Sequence, residues 1–569
     1  MLFTVLIQLI SIFLRFGDVS HRSYYVAPTG DNAYPGTLSS PWRTIQYAVT
    51  NDLVGPGDVI YILPGIYQEN IHISAANGGV QGTPGQPVTI TAYDYSNPPV
   101  IQGLEQTVQF LIEDRSHLVV SHLIIADYLG GGLLVRSRNA DVTNITIRLN
   151  RFSGQRVNEK RDWWNTVNIV AQNRQFSASY IYIKNNYFEN IVTGTVEQHN
   201  EVCSLTGNVH HVLIEDNTFR NVSYIAIDLL GKAYGPINGQ PSYVIVRNNR
   251  FEAVTYGEGN GKAIYFDGAA GPVVVENNFI QDAVGVHTNI ERNNNGDNTF
   301  AHYLIRNNVV DNRRSDIGPS LMIGSGSYGN TEKWPVEPED VAVVHNVVLT
   351  RAKAPPIFWG QGKEFRFKNN IVAGFGTKDL TGENRNGFAN ASTWLSNGNL
   401  YYAGGGGESF VWPGFGRYDS LDEFQSETVQ EVDGVIGMPV FADIGNEDFR
   451  LAPFSPGAGQ GVALTQAVNN GRNSTSLLVE DAGYFFDGFG LVDGDRIRLG
   501  DVMATVAQVD YDANRIVLTS PASWDAGAPI GYAESGLQPS MGLARTLECR
   551  PIFLCRALPQ LRAWLEQLP

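Results

Sequence analysis

The sequence predicts an all-β solenoid built from short strands that stack as coils. One motif (apolar, any, apolar, two mostly polar positions, Asn, any, apolar) occurs eight times. Alternating apolar residues are typical of strands, and Asn tolerates the left-handed backbone of a bend. A single repeat cannot bury its own apolar face, so the repeats must stack. The motif asparagines are Asn150, Asn186, Asn217, Asn249, Asn278, Asn308, Asn346 and Asn370.

The spacing of these asparagines, 24 to 38 residues, leaves room for two further short strands in each coil. Stacking in this way would bring the asparagines into one internal ladder, in which each amide satisfies its neighbours. A helical solenoid would need amphipathic runs of ten or more residues per repeat, and the sequence has none. We therefore expect a parallel β-helix.

Composition excludes several functional classes. The chain has 569 residues, 43% hydrophobic and 17% charged, which predicts a large core and excludes intrinsic disorder. Its 40 basic and 57 acidic residues give a net charge of −17, which disfavours a nucleic acid as partner. Its 3 cysteines show no CxxC spacing, so neither a disulfide framework nor a cysteine metal site is expected.

An apolar run, Leu2–Leu14, has the length of a signal-peptide core and is too short to span a bilayer. We predict that residues 1–23 are a signal peptide and that the protein is secreted, extracellular or periplasmic. No basic residue precedes the run and no Ala-x-Ala site follows it, so a misassigned start is the alternative. No other segment is apolar enough to cross a membrane.

Both ends of the repeat region carry further motifs. Tyr24–Gly30 reads Tyr-Tyr-Val-Ala-Pro-Thr-Gly and is followed by Gly57-Asp58 and by Pro64-Gly-Ile-Tyr67. This segment resembles the first coil of secreted right-handed parallel β-helix proteins of the pectin-lyase-like superfamily. Val440-Phe-Ala-Asp443 resembles the segment that ends such helices. The resemblance implies a right-handed parallel β-helix over residues 24–463. That superfamily includes polysaccharide lyases, glycoside hydrolases, epimerases and non-catalytic adhesins.

A different pattern follows the repeats. Short alternating segments such as Asp495–Leu499 and Arg515–Leu518 are separated by turns, which predicts a small antiparallel β module over residues 464–535. We expect this module to fold separately from the β-helix. Residues 536–569 form a tail to which the sequence assigns no role.

Acidic residues mark one group of strands. The second strands of four consecutive repeats contain Glu201, Asp228, Asp267 and Glu291, with His287 beside the last. Equivalent positions on stacked strands lie about 4.8 Å apart, and carboxylates this close raise one another's pKa, as a general acid requires. Alternation predicts that Asp228 and Asp267 project outward, whereas Glu201 lies on a turn or is a buried partner. The alternatives are solvated surface acids and a calcium site.

The segments around these acids are similar to consecutive motifs of a bacterial β-helix group, which in turn resembles the β-helix glycoside hydrolases that include retaining β-xylosidases. The resemblance implies that Asp267 is the nucleophile and Glu291 the acid/base. Asp228 and Glu201 would hold sugar hydroxyls or tune the pair. His287 stands where such relatives would have an acid, so the order of roles and the substrate remain open.

Aromatic and basic residues near the acids are candidates for substrate contact. Aromatic rings stack on sugar faces, and cations could bind an anionic sugar or neutralise the carboxylates. The candidates are Trp163, Trp164, Tyr234, Tyr265, His287, Lys232, Lys262 and Arg292.

Three functions fit these patterns. The first is a retaining glycoside hydrolase, without a cofactor, acting on a plant or algal polysaccharide or oligosaccharide. The second is a polysaccharide lyase that removes the proton α to a uronate carboxylate, with Lys232, Lys262 or His287 as base. In a lyase, Asp228 and Asp267 would hold a calcium ion that neutralises the carboxylate. The third is a non-catalytic carbohydrate-binding surface protein.

Overall fold

The fold is a right-handed parallel β-helix with a small antiparallel module near its C-terminal end. The computed structural model describes residues 21–103, 108–128, 130–155, 165–191, 201–231, 239–256, 259–289, 300–324, 337–383, 394–412, 416–535 and 540–543. The predicted signal segment up to residue 20 and the tail after residue 543 lie outside this part of the chain.

Three long sheets form the wall of the helix, and within the described residues they contain 13, 11 and 14 strands. Sheet 1 consists of Ser23–Val26, Val59–Ile62, Val88–Ala92, Leu118–Ser121, Val142–Arg148, Ala178–Lys184, Val209–Glu215, Ser242–Arg247, Val273–Glu276, Ala301–Arg306, Glu339–Val344, Lys363–Lys368 and Trp394–Asn397. Sheet 2 consists of Ile71–Ser74, Phe110–Glu113, Leu133–Ser137, Val167–Ala171, Cys203–Thr206, Ile225–Leu230, Lys262–Asp267, Val284–Asn289, Leu321–Ile323, Ile357–Trp359 and Thr381–Glu383. Sheet 3 consists of Ile66–Gln68, Val100–Gln102, Ile124–Ala126, Arg151–Ser153, Tyr187–Ile191, Thr218–Ser223, Arg250–Tyr256, Gly259–Asn260, Phe279–Gln281, Val309–Asn312, Val347–Thr350, Ile371–Gly374, Leu400–Ala403 and Val435–Ile436.

Each coil runs through sheet 1, then sheet 3, then sheet 2, so a coil holds the three strands that the repeat spacing predicts. Inward side chains of all three sheets form one continuous apolar core. Phenylalanines at equivalent positions of sheet 3 stack face to face inside the tube, with ring centroids 4.7 to 5.0 Å apart: Phe152, Phe188, Phe219 and Phe251. The distance between stacked phenylalanine rings therefore matches the spacing of about 4.8 Å between neighbouring strands of a sheet.

The predicted asparagine ladder is confirmed. The Asn278 carboxamide oxygen accepts from the backbone N–H and the side-chain amide of Asn249, at 2.9 and 3.1 Å. The Asn278 amide donates in turn to Asn308 at 2.9 Å. The same bonds recur along the eight motif asparagines, all of which are buried.

The ladder extends one coil beyond the predicted repeats. Asn370 donates to Asn399 at 2.9 Å, and Asn399 donates to the carboxylate of Glu431 at 2.6 Å. The repeat motif misses Asn399 because a buried Ser396 replaces the apolar residue three positions before it.

The bend at each corner differs in one detail from the prediction. The residue with positive φ is the one before the ladder asparagine, for example Asn185 (56°), Asn248 (56°) and Asn307 (52°). Leu149 occupies this position ahead of Asn150, also at 56°. The ladder asparagines are therefore selected for their internal hydrogen bonds, and their neighbours make the turn.

The C-terminal module is a six-stranded antiparallel sheet in the order Thr465–Gln466, Pro529–Tyr532, Arg496–Leu499, Val502–Asp510, Arg515–Trp524 and Gly471–Leu478. Its apolar side chains share one buried cluster with the outward face of sheet 1, including Ile245, Val274 and Leu304. An antiparallel hairpin, Phe441–Asp443 and Asp448–Leu451, precedes it, and Met541 and Leu543 pack on sheet 3. The predicted boundaries at 463 and 535 remain predictions.

A row of alternating charges runs along the outward face of sheet 1 toward the module. Lys184, Glu215, Arg247, Glu276 and Arg306 occupy the same position on five successive strands. Lys184 Nζ lies 2.7 Å from Glu215, Arg247 Nε lies 2.6 Å from Glu215, and Arg306 Nη2 lies 2.7 Å from Glu276. Opposite charges on neighbouring strands stabilise this register.

Helices are short and peripheral. The α-helices are Ile45–Ala48 and Leu421–Thr428, and the 3₁₀ turns are Ala75–Asn77, Ile444–Asn446, Gly488–Gly490 and Ala533–Ser535. Among the described segments, no helix has the length and apolarity needed to cross a membrane.

Candidate active site on the outer face of sheet 2

The candidate site lies where the outward face of sheet 2 carries polar side chains on consecutive coils. Ser204, Asp228, Tyr265, His287 and Met322 occupy the same register position on five neighbouring strands. Side chains alternate along a strand, so these residues share the face opposite to the inward Ile227 and Ile264. The outward direction predicted for Asp228 is therefore confirmed.

Asp267 lies on the same face but not at the position equivalent to Asp228. Its partners on the adjacent strands are Leu230 and Asn289, whereas Asp228 pairs with Tyr265. The two aspartates are diagonal neighbours, with Cα atoms about 8 Å apart for a strand spacing of about 4.8 Å and a rise of about 3.3 Å per residue. The expectation that acids on adjacent coils occupy equivalent positions, about 5 Å apart, is wrong for this pair.

These outward side chains are buried, although the sequence predicts outward acids that contribute little to the core. Asp228 is 2% exposed, Asp267 7% and His287 0%. Burial of ionisable groups costs free energy unless their surroundings compensate, and such groups concentrate at functional sites. This part of sheet 2 is therefore the strongest candidate for a site.

Lys262 contributes a cation to the same face. Its Nζ lies 4.8 Å from the centroid of the Tyr265 ring and 5.5 Å from that of Tyr224. Cation–π contacts of this kind hold an ammonium group in a fixed place. Lys262 is 9% exposed, so the charge is largely withdrawn from water. Tyr224 precedes the strand Ile225–Leu230, and no motif in the sequence marks it as a site residue.

His287 is a neutral base in this environment. Burial, and secondarily the positive charge of Lys262, hold the pKa of His287 well below its usual value. Its ring centroid lies 4.9 Å from that of Tyr265. A neutral imidazole can accept a proton or donate a hydrogen bond, but it does not supply a positive charge near neutral pH.

Cys203 points into the tube beneath this face. Burial, and then the nearby Asp228, raise the pKa of its thiol to about 12. A thiol with such a pKa is a poor nucleophile.

Glu201 lies at the entry to its strand. It precedes Cys203, whose partner is Ile227, so Glu201 is level with Ile225 and three residues short of Asp228. Its backbone N–H donates to Asn165 Oδ1 at 3.2 Å, and it is partly buried. The sequence predicts that Glu201 lies on a turn or is a buried partner of another acid, and its placement at the entry to the strand is closer to a turn.

Several predicted site residues lie outside the described residues: Glu291, Arg292, Lys232, Tyr234, Trp163 and Trp164. The strand that holds His287 is adjacent to that of Asp267, as expected. The residue paired with Asp267 is Asn289, so Glu291 comes two positions later in the sequence. Within the described part of the chain, no group of three or more His, Cys, Asp or Glu residues is arranged to hold a metal ion.

Comparisons with known proteins leave the chemistry open. No protein-family model matches the chain. The uncharacterized protein YwoF of Bacillus subtilis (strain 168) is 24% identical over 466 residues, which cover 76% of this chain and 91% of YwoF.

The solved structures that match this chain have low sequence identity to it. The polysaccharide lyase Pedsa3628 from Pseudopedobacter saltans is 11% identical with a TM-score of 0.42, covering 73% of this chain and 96% of the lyase. An alginate lyase from Paenibacillus sp. str. FPU-7 is 14% identical with a TM-score of 0.38, covering 60% and 99%. XylC in complex with xylose is 10% identical with a TM-score of 0.35, covering 91% and 99%. At these values no activity transfers to this chain, and function must be argued from the site.

Proposed function

We propose that the protein is a carbohydrate-active enzyme that hydrolyses glycosidic bonds of a polysaccharide or oligosaccharide at the outer face of sheet 2. The observation that carries the proposal is the burial of Asp228 and Asp267 on one face of adjacent strands, beside Lys262 and His287. Paired carboxyl groups held in a dry environment are the machinery of most glycoside hydrolases. Export, predicted from Leu2–Leu14, suits a polymeric substrate outside the cell.

The preferred mechanism is the retaining one. Asp267 attacks the anomeric carbon and forms a glycosyl-enzyme intermediate, while Glu291 protonates the leaving oxygen and later activates water. Asp228 and Glu201 hold sugar hydroxyls or tune the pair, and Tyr265, Trp163 and Trp164 contact the sugar faces.

The diagonal placement of the two aspartates makes an inverting reaction the main alternative within hydrolysis. Carboxyl groups of retaining enzymes are roughly 5 to 5.5 Å apart, and those of inverting enzymes roughly 6.5 to 9.5 Å apart. Asp228 and Asp267 have Cα atoms about 8 Å apart and project from the same face, so carboxyl groups that extend in parallel keep about this separation, within the second range. An Asp228–Asp267 pair would invert, whereas an Asp267–Glu291 pair would retain.

A polysaccharide lyase is the second candidate, and the environment of Lys262 favours it. A cation fixed between Tyr224 and Tyr265 could neutralise a uronate carboxylate, and the neutral imidazole of His287 could abstract the α proton. Lys232 is a further candidate base. In this reading Asp228 and Asp267 would hold a calcium ion, which would supply positive charge to neutralise the uronate carboxylate.

The test is a screen of the purified full chain against neutral and uronate glycans, with and without chelator. New reducing ends without ultraviolet absorbance indicate hydrolysis, and absorbance of an unsaturated uronate indicates elimination. Loss of turnover in Asp267→Asn and Glu291→Gln, with full turnover in the exposed-acid control Asp316→Asn, supports the hydrolase. If no glycan is cleaved but one binds, the non-catalytic alternative replaces it.

A further inference from the structure

A cavity of about 200 Å³ lies where the C-terminal module meets sheet 1. It is separate from the candidate active site, whose residues belong to sheet 2. Pockets at the junctions of structural units are frequent ligand sites. The lining comes from both sides of the junction: Arg247, Glu276, Arg306 and Asn307 from the helix, and Phe486, Asp493, Gly494, Asp495, Arg496, Tyr532 and Glu534 from the module.

The floor of this junction cavity is rigid and charged. Arg306 donates to Glu276 at 2.7 and 2.9 Å, and to both carboxylate oxygens of Asp495 at 2.6 and 2.8 Å. All three side chains are buried. Because each charge is held by the others, the polar groups of the floor are already in place before a ligand arrives.

One wall of the cavity is aromatic. The Arg306 guanidinium lies 4.6 Å from the centroid of the Tyr532 ring and 5.0 Å from that of Phe486. Both rings are buried. The rings therefore hold the Arg306 guanidinium in place by cation–π contacts, and the cavity binds a ligand through its polar groups rather than by ring stacking.

The mouth of the cavity is polar and accessible. Asp493, Arg496 and Glu534 are exposed, and Arg247 is partly exposed. Counting the lining side chains, four acids face three arginines. The cavity therefore offers both donors and acceptors while carrying a small excess of negative charge, which disfavours an anion.

We infer that the junction cavity is a non-catalytic binding site for a single neutral sugar unit. Its volume lies below the roughly 300 to 1,000 Å³ of pockets for drug-sized ligands, so it accepts one ring and no more. Arginine and carboxylate groups together can bind adjacent hydroxyls, one as donor and the other as acceptor. The site gives the module a role independent of the reaction at sheet 2: it holds the end of a glycan on the module side of the enzyme.

The test measures binding of xylose, glucose, galactose and glucuronate to the full chain by titration calorimetry and saturation-transfer NMR. At least one neutral sugar should bind, and glucuronate at least tenfold more weakly than the best neutral sugar. Arg496→Ala and Asp493→Ala, both at the exposed mouth, should weaken that binding at least tenfold without lowering the thermal midpoint. Arg515→Ala, on the same module but outside the cavity, is the matched control and should bind as the parent chain does.

Three results would overturn the inference: no neutral sugar binds at millimolar concentration, glucuronate binds best, or the mouth variants bind like Arg515→Ala. Repeating the titration in Asp267→Asn separates this site from the proposed active site. Binding that survives Asp267→Asn and fails in Arg496→Ala belongs to the junction cavity, whatever reaction sheet 2 performs.

Discussion

Arg306 of sheet 1 places two nitrogens on the carboxylate of Asp495 in the module, 189 residues later in the chain, at 2.8 and 2.6 Å. This bidentate ion pair is buried, and Arg366 Nε donates to Asp481 of the module in a second, partly buried ion pair. Around the Arg306 pair, Ile245, Val274 and Leu304 of sheet 1 are covered by the module. The junction therefore has the character of a protein core.

Truncation after residue 463 should for this reason yield a helix that aggregates. The cut exposes a contiguous apolar face of sheet 1, and exposed patches of this kind promote association. Size-exclusion chromatography and thermal melting of the truncated chain check this. A soluble, monomeric fragment with an unchanged midpoint would instead support the separate folding expected from the sequence.

Asp495→Ala should lower the free energy of unfolding by roughly 3 kcal/mol, the low end for a broken buried pair, because Glu276 still contacts Arg306. Denaturant titration measures the change. Asp525→Ala is the control, since that acid is largely exposed on the same module and should change stability by less than about 0.5 kcal/mol. Equal effects of the two substitutions would contradict a stabilising junction.

Asn278→Ala should be among the most destabilising single changes in the helix. It removes the acceptor of two Asn249 donors and the donor to Val246 and Asn308, leaving buried groups unsatisfied at about 1 to 3 kcal/mol each. Thermal melting against the exposed Asn139→Ala measures the loss. A midpoint like that of the control would show that the ladder contributes little.

The ladder also shows how far the sequence alone could predict this fold. Eight asparagines at regular spacing predict the stacked coils, because the constraint is local and repeats. Glu431 could not be found in this way, since its acceptor role depends on a fold-back of the chain after the helix Leu421–Thr428.

At the site, alternation along a strand predicted the face of Asp228 and Asp267. It could not predict their diagonal register, which depends on coil length. Nor could it predict their burial, which depends on tertiary packing.

Glu431→Gln should gain stability relative to the parent chain as pH rises. Burial raises the pKa of Glu431, against opposing hydrogen bonds from Ser396, Tyr401 and Asn399. The folded state therefore binds the proton more tightly than the unfolded state. The stabilisation is complete below the unfolded pKa of about 4.5 and is lost as pH rises through the folded value. Melting both proteins from pH 4 to 8 tests this, and a constant difference in midpoint would refute it.

His287→Gln should reduce the acid sensitivity of the fold. Burial and Lys262 lower the pKa of His287, so the unfolded chain binds this proton more readily than the native state. The contribution of neutral His287 to the free energy of unfolding is complete above the unfolded pKa of about 6.5 and is lost as pH falls toward the folded pKa. Between pH 7.5 and 5, the melting temperature of the parent protein should fall further than that of the His287→Gln variant. Parallel curves would mean that His287 does not resist protonation.

The stereochemistry of the product should identify the acting pair of acids. Retention, followed by NMR of the freshly released anomer, is expected for Asp267 with Glu291. In that case Asp267→Asn and Glu291→Gln should each lower kcat by several orders of magnitude, and Asp228→Asn by less. Inversion, with Asp228→Asn as damaging as Asp267→Asn, would transfer the acid/base roles to the diagonal pair.

The amide ladder also has a polarity. From Asn150 to Asn399, each side-chain amide donates one hydrogen to a backbone carbonyl of the preceding coil and one to the side-chain oxygen of the next member, so the side-chain ladder runs in one direction. A stack of this kind can be lengthened by any coil that supplies another amide, but it needs an end that accepts without donating onward. Glu431 is such an end, because a carboxylate takes the bonds from Asn399 and Tyr401 and requires no further acceptor. Glu431 thus closes the hydrogen-bonded ladder at its C-terminal end.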